Sequence, residues 1–137
     1  MKLLVLQIAG LGYQFALDNG LATLEGVEAR KMETVFPALT SPAQAMLRCA
    51  TPPGINGVIA NGFMDRDLRK PLFWEQSSAL VKGDRIWRSL HSNDRRVGIY
   101  FFQQSLGEAV DQIISPAPIH KHGGGMINAC SSKPESL

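Results

Sequence analysis

The run KLLVLQI, residues 2–8, is apolar almost throughout and stops at Ala9 and the pair Gly10 and Gly12. A run of this kind, closed by glycines, is the pattern of a strand buried on both faces. Such a strand needs helices above and below it, so the expected architecture is α/β with a mostly parallel sheet. The rest of the chain keeps up the alternation. From Tyr13 to about Leu24, the residues Phe15, Ala16, Leu21 and Leu24 follow helical spacing that breaks near Asn19-Gly20. ARKMETVF (29–36) reads as a second strand ending at Pro37, and SPAQAMLRC (41–49) as a helix with Thr40 as N-cap and Pro42 in its first turn.

TPPGINGVIANG (51–62) is rich in turn formers, and FMDRDLRKPLFWE (63–75) suggests two short strands around a polar turn. DRIWRSLHSN (84–93) has Ile86, Trp87 and Leu90 on one helical face. RRVGIYFFQ (95–103) is a strong strand signal and AVDQIIS (109–115) a weaker one ending at PAP, while the polar tail CSSKPESL (130–137) is expected to fray. With no internal repeat or low-complexity linker, residues 1–137 are expected to form a single α/β domain.

Composition narrows the function classes. Lys and Arg number 14 against 12 Asp and Glu, a balance too even for a nucleic-acid or membrane-surface binder. The basic cluster Arg66–Lys70, with Asp65 and Asp67 interleaved, reads as a solvated turn. Cys49 and Cys130 lack metal-type spacing, so both are expected to be reduced and buried. Met1-Lys2 followed by LLVLQIAGL resembles the start of a secretion signal, but Gln7 interrupts the apolar run and no small-x-small cleavage site follows. A cytoplasmic chain without a spanning helix is expected.

In open α/β sheets, chemistry sits in the loops beyond the carboxyl ends of strands. AGLGY, FPALTSP and SPAPIHKHGGGM are the loops that qualify. Thr40 stands where a helix N-terminus would meet a phosphate. Its hydroxyl is a poor nucleophile unless a base or a metal activates it.

The order LLVLQIAGLGY, TVFPALTSPAQA, PPGINGVIANGFMDRD resembles the type I phosphodiesterase and nucleotide pyrophosphatase family of the alkaline phosphatase superfamily. The resemblance implies the N-terminal part of an alkaline-phosphatase-like three-layer sandwich. It implies a metal-dependent hydrolase of phosphodiester or nucleotide pyrophosphate bonds, working with two zinc ions through a phosphothreonine. Matched onto this chain, the nucleophile position, which is also a metal ligand, falls on Thr40, and the phosphate-contacting amide on Asn61. The position of the metal-binding aspartate is Ala9, whose methyl group cannot coordinate zinc. The family histidine before glycine is Asn56, with Gly57 retained. The family's remaining ligands come from a later half, so the chain is expected to be inactive or nearly so. The alternative is a degenerate, non-catalytic domain that binds a phosphorylated ligand or a partner, and a third reading is a truncated or frameshifted product without selected function. Stopping after a few parallel strands would also expose a sheet surface, from which self-association is expected.

Other chemistry-bearing residues carry weaker signals. His120 and His122 would share a face if a strand ran through them, the geometry of an H-x-H metal pair, but no third ligand is evident. HGGGM lacks the Lys-Ser/Thr of a nucleotide loop. Trp74 and Trp87 read as core or interface aromatics. Glu75, Glu108 and Asp111 have no assigned role.

Overall fold

A computed structural model of the chain describes residues 2–21, 23–24, 26–91 and 95–134. It separates into two compact units, Met1–Thr34 and Val35–Leu137. In the first, α1 (Tyr13–Asp18) starts after Gly12 and ends at Asn19, whose side-chain amide donates to the Phe15 carbonyl at 2.9 Å. β1 (Thr23–Leu24) then pairs antiparallel with β2 (Val27–Glu28).

The expected strand at 2–8 does not form. Leu3, Leu4, Val5, Leu6 and Ile8 are all more than half exposed, and no strand covers the 29–36 segment either. The physical reason is local. A strand buried on both faces exists only where neighbours complete its ladder and cover its side chains. Among the described residues of this unit, Ala16 is the one buried apolar residue, and the β1–β2 pair is too small to provide that cover.

The second unit is built around α2 (Thr40–Cys49), followed by a single helical turn α3 (Pro53–Asn56). Ser41, Pro42, Ala45, Arg48 and Cys49 are buried, which at this spacing is one face of a helix. Ala45 and Cys49 pack with Val58 and Val81 in a small core. The helix stops at Ala50, whose left-handed backbone returns its N–H to the Met46 carbonyl.

β3 (Gly62–Asp65) and β4 (Lys70–Phe73) form the expected hairpin. Its turn is fixed by the Asp65 carboxylate, which accepts the Asp67 and Leu68 N–H groups at 3.0 and 2.8 Å. The basic cluster between them is therefore a solvated turn. Gly62 faces Phe73 so closely that a Cβ there would lie 2.5 Å from the ring.

A 3₁₀ turn at Ser78–Leu80 leads to α4 (Arg88–His91). This helix is shorter than the pattern suggested. Ile86 and Leu90 are exposed, Trp87 is half-buried, and Ser92 and Asn93 lie outside the described residues. β5 (Gly98–Tyr100), β6 (Gln112–Pro116) and β9 (Cys130–Lys133) make a three-stranded sheet in the order β5-β6-β9. Ile99, Val110 and Ile113 form its core, with Trp87, Val97 and Phe102 against it. Between β6 and β9, β7 (Ile119–His120) and β8 (Met126–Ile127) form a small hairpin.

A mostly parallel sheet is thus not what the described residues form. β5–β6 is the parallel pair among the strands, and the other strand pairs are antiparallel. Connection length accounts for the hairpins and permits β5–β6, while β6 and β9, joined by residues 117–129, run antiparallel because the β7–β8 hairpin turns the chain back between them. Parallel neighbours need a crossover of about a dozen residues, which 101–111 supplies, whereas the short turns at 66–69 and 121–125 can only double the chain back. Mixed α/β content stands. The polar tail does not fray from Cys130, because Cys130–Lys133 finds ladder partners in β6, and the residues beyond Pro134 lie outside the described ones.

Candidate functional site

Thr40 is exposed at the first helical position of α2, and Leu39 is the N-cap residue, with extended φ and ψ of −116° and 159°. The Ala43 N–H donates to the Leu39 carbonyl at 3.0 Å, so the helix begins one residue earlier than the capping pattern implied. Leu39 has no side-chain oxygen to offer. The capping oxygen comes instead from Asn61, whose Oδ1 accepts the Ser41 N–H at 3.0 Å.

This bond orients the Asn61 carboxamide. A backbone N–H must face the oxygen, so the Nδ2 group becomes the outward donor. Among the described residues Nδ2 has no partner. The Asn61 main chain is held in turn by the Trp74 N–H, which donates to its carbonyl at 3.1 Å as the chain enters β3. A helix start usually offers several unpaired N–H groups to an anion. Here Asn61 occupies that of Ser41 and Pro42 has none, which leaves Thr40 to supply a backbone donor beside its own hydroxyl and the Asn61 amide. The two residues singled out from sequence, twenty-one positions apart in the chain, therefore meet at one helix end.

A family model for type I phosphodiesterases and nucleotide pyrophosphatases matches residues 9–122. The chain belongs to this family. No curated protein and no solved structure matches it.

Two zinc ions, which the resemblance implies, would need ligand atoms from side chains. Ala9, which the resemblance matches to the aspartate, is an exposed residue of the first unit, and its methyl group offers no ligand atom. Among the described residues no three His, Cys, Asp or Glu side chains come together as a metal-binding group. Asn56, which the resemblance matches to the family histidine, is fully buried and works as a brace. Its Nδ2 donates to the Thr51 carbonyl at 2.7 Å, its Oδ1 accepts the Val58 N–H at 2.9 Å, and its main-chain carbonyl accepts the Lys82 N–H. Gly57 follows with φ 84°, a conformation that favours glycine.

The opposite end of α2 holds a cluster that sequence reasoning missed. Glu108, unassigned from sequence, accepts from two guanidinium groups: Arg85 Nε at 2.5 Å and Arg48 Nη1 at 3.4 Å. Arg48 is 1% exposed and also donates to the Gln104 carbonyl at 2.8 Å. Arg85 further contacts the Cys49 sulfur and the Gly83 and Ser78 carbonyls. Two cations share one carboxylate, and the Nε and Nη2 atoms of Arg48 remain unpartnered. Burial lowers the Arg48 pKa to about 10; Arg85 pushes it the same way, and Glu108 and Cys49 oppose the shift. The available signal was the position of Arg48, in line with Ala45 and Cys49 on the buried face.

The remaining candidates separate from the site. β7 stops at His120, so no strand carries His122 onto the same face, and both histidines are exposed. HGGGM is the turn of the β7–β8 hairpin, where Gly124 and Gly125 have φ of 87° and 82°. Glu75 accepts the Gln76 N–H, and Asp111 accepts the Val97 N–H at 2.7 Å. Trp87 packs beside the second core, while Trp74 is 44% exposed. Both cysteines are free, Cys49 buried as expected and Cys130 exposed, on a strand whose neighbours do not cover it. Among the described residues no helix is long and apolar enough to cross a membrane.

Proposed function

We propose that this member of the phosphodiesterase and nucleotide pyrophosphatase family holds a phosphate ester at the start of α2 and does not hydrolyse it unaided. Thr40 stands at the nucleophile position and Asn61 at the phosphate contact. The observation that carries this reading is the Ser41 N–H bond to Asn61 Oδ1, which leaves Nδ2 to donate to a phosphoryl oxygen beside the Thr40 hydroxyl and N–H. A phosphodiester or nucleotide is the substrate class that family membership suggests.

Hydrolysis by a threonine requires its hydroxyl to be ionised as it attacks. In the family, metal ions would do this. Ala9 offers no ligand atom, and among the described residues no base contacts Thr40, so the exposed hydroxyl keeps its proton. What remains is recognition: a hydroxyl, one backbone N–H, one carboxamide N–H and the positive end of a helix dipole.

Two measurements on the purified chain test this. Bis(4-nitrophenyl) phosphate with added zinc should show no turnover beyond that of the Thr40→Ala variant. Titration with phenyl phosphate should move the amide resonances of Thr40 and the side-chain NH₂ of Asn61. Zinc-dependent turnover abolished by Thr40→Ala would restore the catalytic reading. Unmoved resonances would remove the binding one.

A further inference from the structure

The three-stranded sheet of the second unit, in the order β5-β6-β9, has two edges, and they differ.

The β9 edge, Cys130–Lys133, ends in Lys133 followed by Pro134, residues that discourage further pairing. The β5 edge, Gly98–Tyr100, carries neither charge nor proline. Its hydrogen-bond parity is set by β6. The Val97 carbonyl accepts from Asp111 and Gln112, and the Phe101 N–H donates to Ile114, so odd-numbered residues face inward. Gly98 and Tyr100 therefore direct their N–H and C=O groups away from the sheet.

We propose that β5 is a homodimer edge, pairing antiparallel with β5 of a second copy about a two-fold axis at Ile99. This reading is independent of the phosphate site. In that register Gly98 lies opposite the partner's Tyr100, and the two outward-facing residues can exchange both bonds on each side of the axis. Four backbone bonds result. Registers shifted by one residue would oppose an inward-facing residue to an outward-facing one and form none. Like charges also stay apart, since Arg96 runs toward the partner's Phe102 rather than toward another arginine.

Exposed aromatics flank the edge. Phe101 is 60% and Tyr100 is 44% exposed. Gly98 fits the same geometry, since a Cβ there would lie 2.9 Å from the Tyr100 hydroxyl, which donates across the face to Gln112 at 2.8 Å. The left-handed turn at Phe101, φ 59°, ends the ladder after Tyr100 and keeps the pairing closed rather than extensible.

Sedimentation equilibrium of the whole chain at about 50 μM, in reducing agent so that the exposed Cys130 cannot cross-link copies, should give a dimer. Tyr100→Lys places a charge at both ends of the paired segment, and its dissociation constant should rise at least about tenfold. Cys130→Lys, on the other edge, should leave association unchanged. Circular dichroism melts of the variants check that the fold persists. A monomeric wild-type chain would overturn the proposal, as would open-ended aggregation, or a dimer that Tyr100→Lys leaves intact and Cys130→Lys disrupts.

Discussion

The two ends of α2 face opposite physical demands. At Cys49 and Arg48 the helix is anchored: buried side chains, two guanidinium groups and one carboxylate bind it to the 83–86 and 104–108 segments. At Thr40 it is presented: the first residue is exposed, its neighbour is capped by a distant asparagine, and one carboxamide group is left outward. A rigid far end allows a sparsely bonded near end. The difference teaches that anchoring and exposure are separable along ten residues of helix, and substitutions at each end should show it.

Glu108→Gln should have the largest effect. It leaves the buried Arg48 guanidinium and the partly buried Arg85 guanidinium without a counter-charge, and a loss of about 3 kcal/mol in urea unfolding is expected. Phosphate-ester binding by the fraction still folded should persist. Arg48→Met tests the same end from the other side, because Glu108 keeps Arg85 as its partner. Stability should stay level or rise by about 1 kcal/mol, burial of an incompletely bonded guanidinium being a net cost. That cost depends on pH. The folded-state pKa of about 10 lies below the ordinary value, so up to about pH 10 both folded and unfolded chains carry the proton and the cost is complete. Above it the folded chain releases the proton first, and the contribution of Arg48 to stability rises with pH. The gap between wild type and Arg48→Met should therefore narrow between neutral pH and pH above 10, measured as the difference between their unfolding free energies.

At the presented end the expected effects on stability are smaller. Asn61→Ala removes the capping oxygen from Ser41 and should cost about 1 kcal/mol. Thr40→Ala should change stability by less than about 0.5 kcal/mol, since Thr40 caps nothing. A loss near 1 kcal/mol would instead show that the threonine is the N-cap. Paired chemical-denaturation curves on the two variants decide between these outcomes.

Much of this comparison was legible in the sequence, and for unequal reasons. The helix at 41–49 and the hairpin at 63–75 follow from local pattern and turn chemistry. Pro42, the spacing of Ala45 and Cys49, and Asp65 at the turn act over a few residues and need no distant partner. Thr40 and Asn61 were singled out through family resemblance, but their meeting depends on a bond between residues twenty apart, Ser41 and Asn61. KLLVLQI misled because apolarity states a demand for burial without supplying the neighbours that meet it. The Glu108 cluster was invisible for the converse reason. One carboxylate among twelve acidic residues gains its importance only when Arg48 and Arg85 arrive from elsewhere in the chain. Asn56 shows a third case, where a residue that the resemblance matches to a histidine serves as a brace for the backbone around it.

The claim that the start of α2 recognises phosphate without unaided hydrolysis is tested most directly by following phenyl phosphate binding to wild type, Asn61→Ala and Thr40→Ala by amide resonances, with product release monitored in the same samples. Saturable shifts at Thr40 and Asn61, weakened roughly tenfold in Asn61→Ala and unaccompanied by released phenol, are the predicted result. Binding that is indifferent to Asn61, or phenol release that depends on Thr40, would contradict it.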